Sequence, residues 1–141
     1  NIVAAASFDG NIYILDLKTG RLRAKIKTGD ICYTSPLIDQ GKVFAGSGDR
    51  HMYIIDAKAG TLLEKHNCHA RVYSTPRNLG GQIVFGTNGG KVNAVDTQTL
   101  EMSSLFELPD AITNAISLSD DGKTFYVSTC MNELYAVRLK N

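Results

Sequence analysis

A motif that returns every 40 residues, short β-branched and aromatic runs parted by turn residues, and the lack of any sustained helical periodicity together predict an all-β propeller of four-stranded antiparallel blades. Ser7-Phe8-Asp9-Gly10-Asn11-Ile12-Tyr13-Ile14-Leu15-Asp16 returns as Ser47-Gly48-Asp49-Arg50-His51-Met52-Tyr53-Ile54-Ile55-Asp56, and again as Thr87-Asn88-Gly89-Gly90-Lys91-Val92-Asn93-Ala94-Val95-Asp96. A second anchor keeps the same step, since Tyr33-Thr34-Ser35-Pro36-Leu37 is echoed by Tyr73-Ser74-Thr75-Pro76-Arg77 and more faintly by Thr113-Asn114-Ala115-Ile116-Ser117. A fourth copy of the first motif, Thr129 to Arg138, has slipped by two residues.

Within the period that begins near Ile31, residues 32–38 read as a first strand and Asp39-Gln40-Gly41 as a turn. Lys42–Ser47 follow as a second strand, Met52–Asp56 as a third and Thr61–His66 as a fourth, with turns at Gly48–Arg50 and Ala57–Gly60 between them. Carried along the chain, this pattern gives blades at 1–27 (the last three strands), 31–67, 71–107 and 112–139 (the first three strands). The 141 residues therefore form one partial propeller domain of about three and a half blades, a segment of a seven- or eight-bladed ring. The remaining blades are expected from adjoining sequence of a longer polypeptide, as an opening residue of Asn1 suggests, or from a second copy.

Composition narrows the function more by exclusion than by assignment. Lys+Arg number 15 and Asp+Glu 14, a net charge of +1 that gives no broad electrostatic reason to bind nucleic acid or an acidic membrane. No apolar stretch approaches the roughly 20 residues of a spanning helix, and the N-terminal residues lack the basic flank of a signal peptide. Three cysteines, Cys32, Cys68 and Cys130, cannot close as pairs, which favours a reducing, cytoplasmic setting.

Chemistry-bearing residues mostly have a geometric explanation. Asp16 with Gly20, Asp56 with Gly60, and Asp96 recur once per blade, where the carboxylate can accept turn N–H groups and the glycine supplies positive φ. Leu100 stands where the glycine belongs in the third copy, so a different or more strained turn is expected there. His66-Asn67-Cys68-His69 offers three potential ligand atoms but no second cluster to complete a metal site. No Gly-x-Ser-x-Gly elbow is present, and Gly86–Lys91 precedes a strand rather than the helix a phosphate loop requires. No catalytic residue, metal or cofactor is expected.

Strand alternation places the hairpins between second and third strands on the same face as the blade-to-blade linkers. Phe8, Arg50, His51, Arg71, Lys91, Met131 and Glu133 share that rim, which is the candidate interaction surface. Tyr33 and Tyr73, at the start of the innermost strands, are candidates for lining the central channel.

The segment Ser7–Gly20, and less fully Ser47–Gly60, Thr87–Thr99 and Thr129–Arg138, together with Ser35-Pro36 and Thr75-Pro76, resembles the pyrroloquinoline-quinone-like (quinoprotein dehydrogenase-like) propeller repeat. The resemblance implies an eight-bladed ring in the dehydrogenases of that family. It also implies non-catalytic modules attached to kinases, outer-membrane assembly factors and adenylate-forming enzymes. The family's tryptophan four residues after the turn glycine is here Ala24, Glu64 and Ser104, and the Trp and adjacent cysteines that hold the quinone beside calcium have no counterpart. The expected function is a non-catalytic scaffold for protein interaction. The alternatives are an accessory domain of a larger enzyme, such as a kinase or adenylate-forming enzyme, and part of a quinone-dependent dehydrogenase.

Overall fold

The computed structural model describes residues 1–138; the predicted end of the last blade at residue 139 lies outside them. Among the described residues there is no helix, and fourteen strands form four antiparallel sheets in chain order. The first sheet holds β1 (Ile2–Ala6), β2 (Asn11–Asp16) and β3 (Leu22–Lys27). The second holds β4 (Leu37–Asp39), β5 (Lys42–Gly46), β6 (His51–Asp56) and β7 (Leu62–Asn67). The third repeats it with β8 (Arg77–Leu79), β9 (Gln82–Gly86), β10 (Lys91–Asp96) and β11 (Met102–Glu107), and the fourth holds β12 (Ser117–Leu118), β13 (Thr124–Ser128) and β14 (Leu134–Arg138).

The sheets stack face to face in a propeller-like succession, and the burial pattern of each strand follows from its place in that stack. β5 and β6 are buried on both faces, because Val43, Ala45, Tyr53 and Ile55 pack toward the first sheet while Phe44, Met52 and Ile54 pack toward the third. β1 and β14, in the end sheets, alternate instead. Ile2, Ala4 and Ala6 turn inward with Ile12 and Ile14, and Tyr135 and Val137 turn inward with Val127 at the other end. Three apolar clusters result, one in each gap between successive sheets.

Residues 32–38 do not form the long innermost strand expected from the sequence; only Leu37–Asp39 pairs with β5. The preceding residues serve the joint between sheets. Cys32 donates its N–H to the Ser7 carbonyl of the first sheet (3.1 Å), and Thr34 Oγ1 accepts the Gly46 N–H (3.3 Å). Pro36 has no N–H to offer a ladder, so pairing begins only after it. The same bond recurs from Val72 to Ser47 (3.1 Å) and from Ile112 to Thr87 (3.0 Å).

Side-chain size is matched at this joint. A Cβ on Gly46 would lie 2.4 Å from Val72 Cγ1, and one on Gly86 would lie 2.3 Å from Ile112 Cγ2. The first copy reverses the sizes: Ala6 stands where Gly46 and Gly86 stand, and the smaller Cys32 replaces the branched Val72 and Ile112. Each pair keeps close packing with a different division of volume.

The turns after β2, β6 and β10 are alike despite the change at the third. Asp16 Oδ1 accepts the N–H groups of Lys18 and Thr19, Asp56 Oδ1 those of Lys58 and Ala59, and Asp96 Oδ1 those of Gln98 and Thr99, all at 2.7–3.0 Å. Gly20, Gly60 and Leu100 then donate to the carbonyls of Asp16, Asp56 and Asp96 with φ of 68°, 69° and 61°. The expectation of strain at Leu100 is met by the same turn held in a left-handed conformation, not by a different turn. Leu100 packs against the cluster between the second and third sheets, so burial offsets its backbone cost.

Candidate functional site

Hairpins and linkers are bonded into one end of the stack. In each of the first three sheets the residue after the outer strand closes on the hairpin: Thr28 donates to Gly10, Cys68 to Arg50 and Leu108 to Gly90, at 2.8–2.9 Å. The linker then crosses to the next hairpin, where Gly48 donates to the Ile31 carbonyl, Asn88 to Arg71 and Cys130 to Ala111, at 2.8–2.9 Å. The Asp turns lie at the opposite ends of β2, β6 and β10.

On the hairpin end the structure unites residues that the sequence had assigned to two places. The Phe8 ring, on the first hairpin, lies 5.3 Å from Tyr33, and Tyr33 lies 5.4 Å from Tyr73 in the following linker. These tilted contacts make a continuous aromatic rank, with Phe8 66% and Tyr33 62% exposed and Tyr73 half-buried. Thr113 takes the same place in the next linker, so the rank ends there. Tyr33 and Tyr73 sit in the irregular segments before β4 and β8 and not within the innermost strands.

The other rim residues divide by environment. Arg50, Arg71, Met131 and Glu133 are exposed, and Glu133 accepts the Tyr135 hydroxyl. Lys91 is half-buried at the start of β10. His51 is tied to its own hairpin, with Nδ1 2.8 Å from the Asp49 carbonyl and 3.4 Å from its carboxylate. Arg50 adopts φ of 73° at the place that Gly10 and Gly90 occupy in the other hairpins.

Sequence reading did not single out Asp49, although its spacing repeats Asp9 and Tyr13 as Asp49 and Tyr53. Asp49 Oδ2 accepts the Gly29 N–H of the incoming linker (2.7 Å) and the Tyr53 hydroxyl, and Lys65 Nζ lies 5.1 Å over the Tyr53 ring. Burial works to raise the Asp49 pKa, but the Tyr53 hydroxyl and the Gly29 and His51 N–H groups outweigh it and hold the carboxyl below its ordinary value. A carboxylate depressed in the folded state stabilises above its unfolded pKa of about 4, and that contribution is lost as pH falls through the folded value. Asp49→Asn is therefore expected to lower stability by about 1 kcal/mol at pH 7, allowing for partial exposure. The denaturant midpoints of variant and wild type should converge as pH falls through the lowered folded value.

The potential ligand atoms of the His66–His69 stretch part company. His66 Nε2 lies 2.7 Å from the Leu100 carbonyl of the third sheet, Cys68 is buried beside Met102, and His69 heads the exposed linker with φ of 60°. Burial pushes the Cys68 thiol up to about 12, well away from the thiolate that a metal or nucleophilic role requires. Among the described residues no three His, Cys, Asp or Glu side chains converge as metal ligands. No helix among them is long and apolar enough to cross a membrane.

A family model for PQQ-like repeats, described as outer membrane protein assembly factor BamB, matches residues 9–141. The chain belongs to that family. The match rests on the repeat that builds the sheets, and the chain departs from the PQQ-like pattern at the tryptophan position. There Ala24 meets the following sheet with a small side chain, since a Cβ on Gly60 would come 2.5 Å from Ala24 Cβ. A planar quinone finds no adjacent cysteine pair: Cys32 and Cys68 are buried in separate clusters and Cys130 is exposed, so these residues do not fit that group. No curated protein matches the chain. Among solved structures, the computationally designed Ika4 protein is similar at 17% identity and a TM-score of 0.80, over 99% of this chain and 86% of that one. The computationally designed Ika8 protein is similar at 19% identity and a TM-score of 0.83, over 99% of this chain but 43% of the designed one. At these identities the likeness is one of fold.

Proposed function

We propose that the chain is a non-catalytic β-propeller scaffold whose hairpin end captures a protein partner, with further blades of the same polypeptide or a second copy completing a seven- or eight-bladed ring. The aromatic rank of Phe8, Tyr33 and Tyr73 carries this reading, because large rings held at stacking distance on a rigid scaffold and left open to water are what interface hot spots are made of. Exposed Arg71 stands two residues before Tyr73 in the same linker and adds a charged anchor. The once-per-blade carboxylates Asp16, Asp56 and Asp96 are engaged by turn N–H groups, which supports a role without turnover. The outward residues of the end sheets, Val3, Tyr126 and Leu134 among them, are apolar and exposed, which supports continuation of the stack.

The test is quantitative capture by immobilised protein, with thermal melting as the control for folding. Replacing Phe8, Tyr33 and Arg71 together by Ala is expected to lower capture at least tenfold, as loss of a hot-spot cluster does. Lys58→Ala, in a turn at the opposite end, should leave it unchanged. Equal capture by the triple variant and wild type would show that the rim is ordinary solvated surface.

A further inference from the structure

Successive joints between the sheets differ in charge. Where the linker of the first sheet meets the second hairpin, two carboxylates are spent on backbone: Asp30 Oδ1 accepts the Ile31 N–H (2.8 Å) and Asp49 Oδ2 accepts the Gly29 N–H (2.7 Å). One period later, Ala70 replaces Asp30, Gly89 replaces Asp49 and Arg71 replaces Ile31. The linker of residues 68–72 and the hairpin of residues 87–91 hold no carboxylate, but carry His69, Arg71 and Lys91. Positive charge is thus gathered at one joint of a chain whose net charge is only +1.

Arg50 adds to the same place. The linker closes on the second hairpin at both ends, since Cys68 donates to the Arg50 carbonyl (2.8 Å) and Val72 to the Ser47 carbonyl (3.1 Å), so Arg50 and Arg71 belong to one pair of loops. The Arg71 carbonyl in turn accepts the Asn88 N–H of the third hairpin (2.9 Å). Both backbones are therefore fixed, while both side chains are exposed and make no ion pair among the described residues.

The φ of 73° at Arg50 keeps a long cationic side chain at a backbone position better suited to glycine, as Gly10 and Gly90 show in the neighbouring hairpins. Tyr73, two residues beyond Arg71, brings its ring within 5.4 Å of Tyr33. Arg50, Arg71 and Tyr73 lie in or beside the joint between the two four-stranded sheets, away from both end sheets. Their exposure does not depend on where the stack stops.

We infer that this joint receives an acidic segment of a partner protein, with carboxylates paired to Arg50 and Arg71 and an adjoining apolar side chain laid against Tyr73. The assignment rests on the reading that the hairpin end captures a protein, and it names the chemistry of what is captured. Guanidinium forks without an internal carboxylate suit side-chain carboxylates, and the ring beside them suits an apolar neighbour. The patch spans one linker and the hairpins on either side of it, short of the basic stripe that follows a nucleic-acid backbone.

The experiment is fluorescence anisotropy of the chain with a short dye-labelled peptide whose central phenylalanine is flanked by glutamates. Saturable binding is expected, weakening as salt rises from about 50 to 500 mM because exposed pairs are screened. Arg50→Gly combined with Arg71→Ala should lower affinity at least tenfold, with thermal melting as the control for folding. Lys25→Ala combined with Lys27→Ala, which removes the same charge from β3, should leave affinity unchanged. A peptide with glutamines in place of the glutamates should bind as weakly as the arginine variant does, and that comparison leaves the protein untouched. Absence of saturable binding, equal binding of the glutamine peptide, unchanged affinity of the arginine variant, or an equal loss in the lysine variant would overturn the assignment. So would tighter binding, through the same arginines, of an oligothymidylate carrying as many charges, which would make the patch a nucleic-acid site. If the peptide fails to bind while Phe8→Ala with Tyr33→Ala still lowers capture, the capture end stands and only the acidic occupant falls.

Discussion

Gly46→Ala is expected to destabilise the chain by about 3 kcal/mol, at the upper end of what overpacking ordinarily costs. The added methyl would meet Val72 at 2.4 Å on its Cγ1 and 2.8 Å on its Cβ and carbonyl oxygen, so rotation of the valine alone cannot clear it. The first copy of the repeat supplies the remedy. Combining Gly46→Ala with Val72→Cys recreates the Ala6 and Cys32 pair in the second joint, and should recover at least half of the loss. Val72→Cys alone removes a buried methyl and should cost about 1 kcal/mol. Denaturant midpoints of the two single variants and the double variant would then give a coupling energy of at least about 2.5 kcal/mol. Additive losses would show that the two positions do not share a contact.

Gly90→Ala should cost still more, about 4 kcal/mol, because two penalties coincide. Its φ of 84° lies in the left-handed region, where a Cβ costs about 1–2 kcal/mol, and that Cβ would lie 2.0 Å from the Leu108 carbonyl oxygen. Leu108 also donates to the Gly90 carbonyl, so any shift that relieves the clash loosens the closure of the hairpin on its linker. A domain with an ordinary stability of about 5–15 kcal/mol would be left near its threshold. The counterpart Arg50 carries a side chain at φ 73° and evidently has the room. Arg50→Gly should therefore be neutral or stabilising by up to about 1 kcal/mol, with relief of the left-handed conformation set against a more flexible unfolded chain. Thermal melts of the two variants should move in opposite directions, or the Arg50 melt should stay put while that of Gly90→Ala falls.

The repeat was legible because turn residues punctuate it: Asp9-Gly10, Asp16 to Gly20 and their copies mark where strands stop, and hydrophobic alternation fills the rest. The stretch from Cys32 to Pro36 misled for a physical reason. Its β-branched and aromatic residues suit an extended backbone, but propensity does not say whether that backbone bonds within its own sheet or to the one before it. The aromatic rank was legible only in part. Tyr33 and Tyr73 share a repeat position and could be paired by subtraction, whereas Phe8 comes from a hairpin 25 residues earlier and joins them only through the crossing of the linker. The matched sizes of Ala6 with Cys32 and Gly46 with Val72 were present at a constant spacing, but nothing in the sequence says that those positions touch until the joint is built.

Each apolar cluster draws its members from two successive sheets and the linker between them. Disturbance at one gap is consequently felt by its immediate neighbours and fades beyond them, as in a chain of coupled springs. A change of residues can therefore stay local to one module, as where Gly89, Asn93 and Leu105 stand in the third sheet at the places of Asp49, Tyr53 and Lys65 in the second.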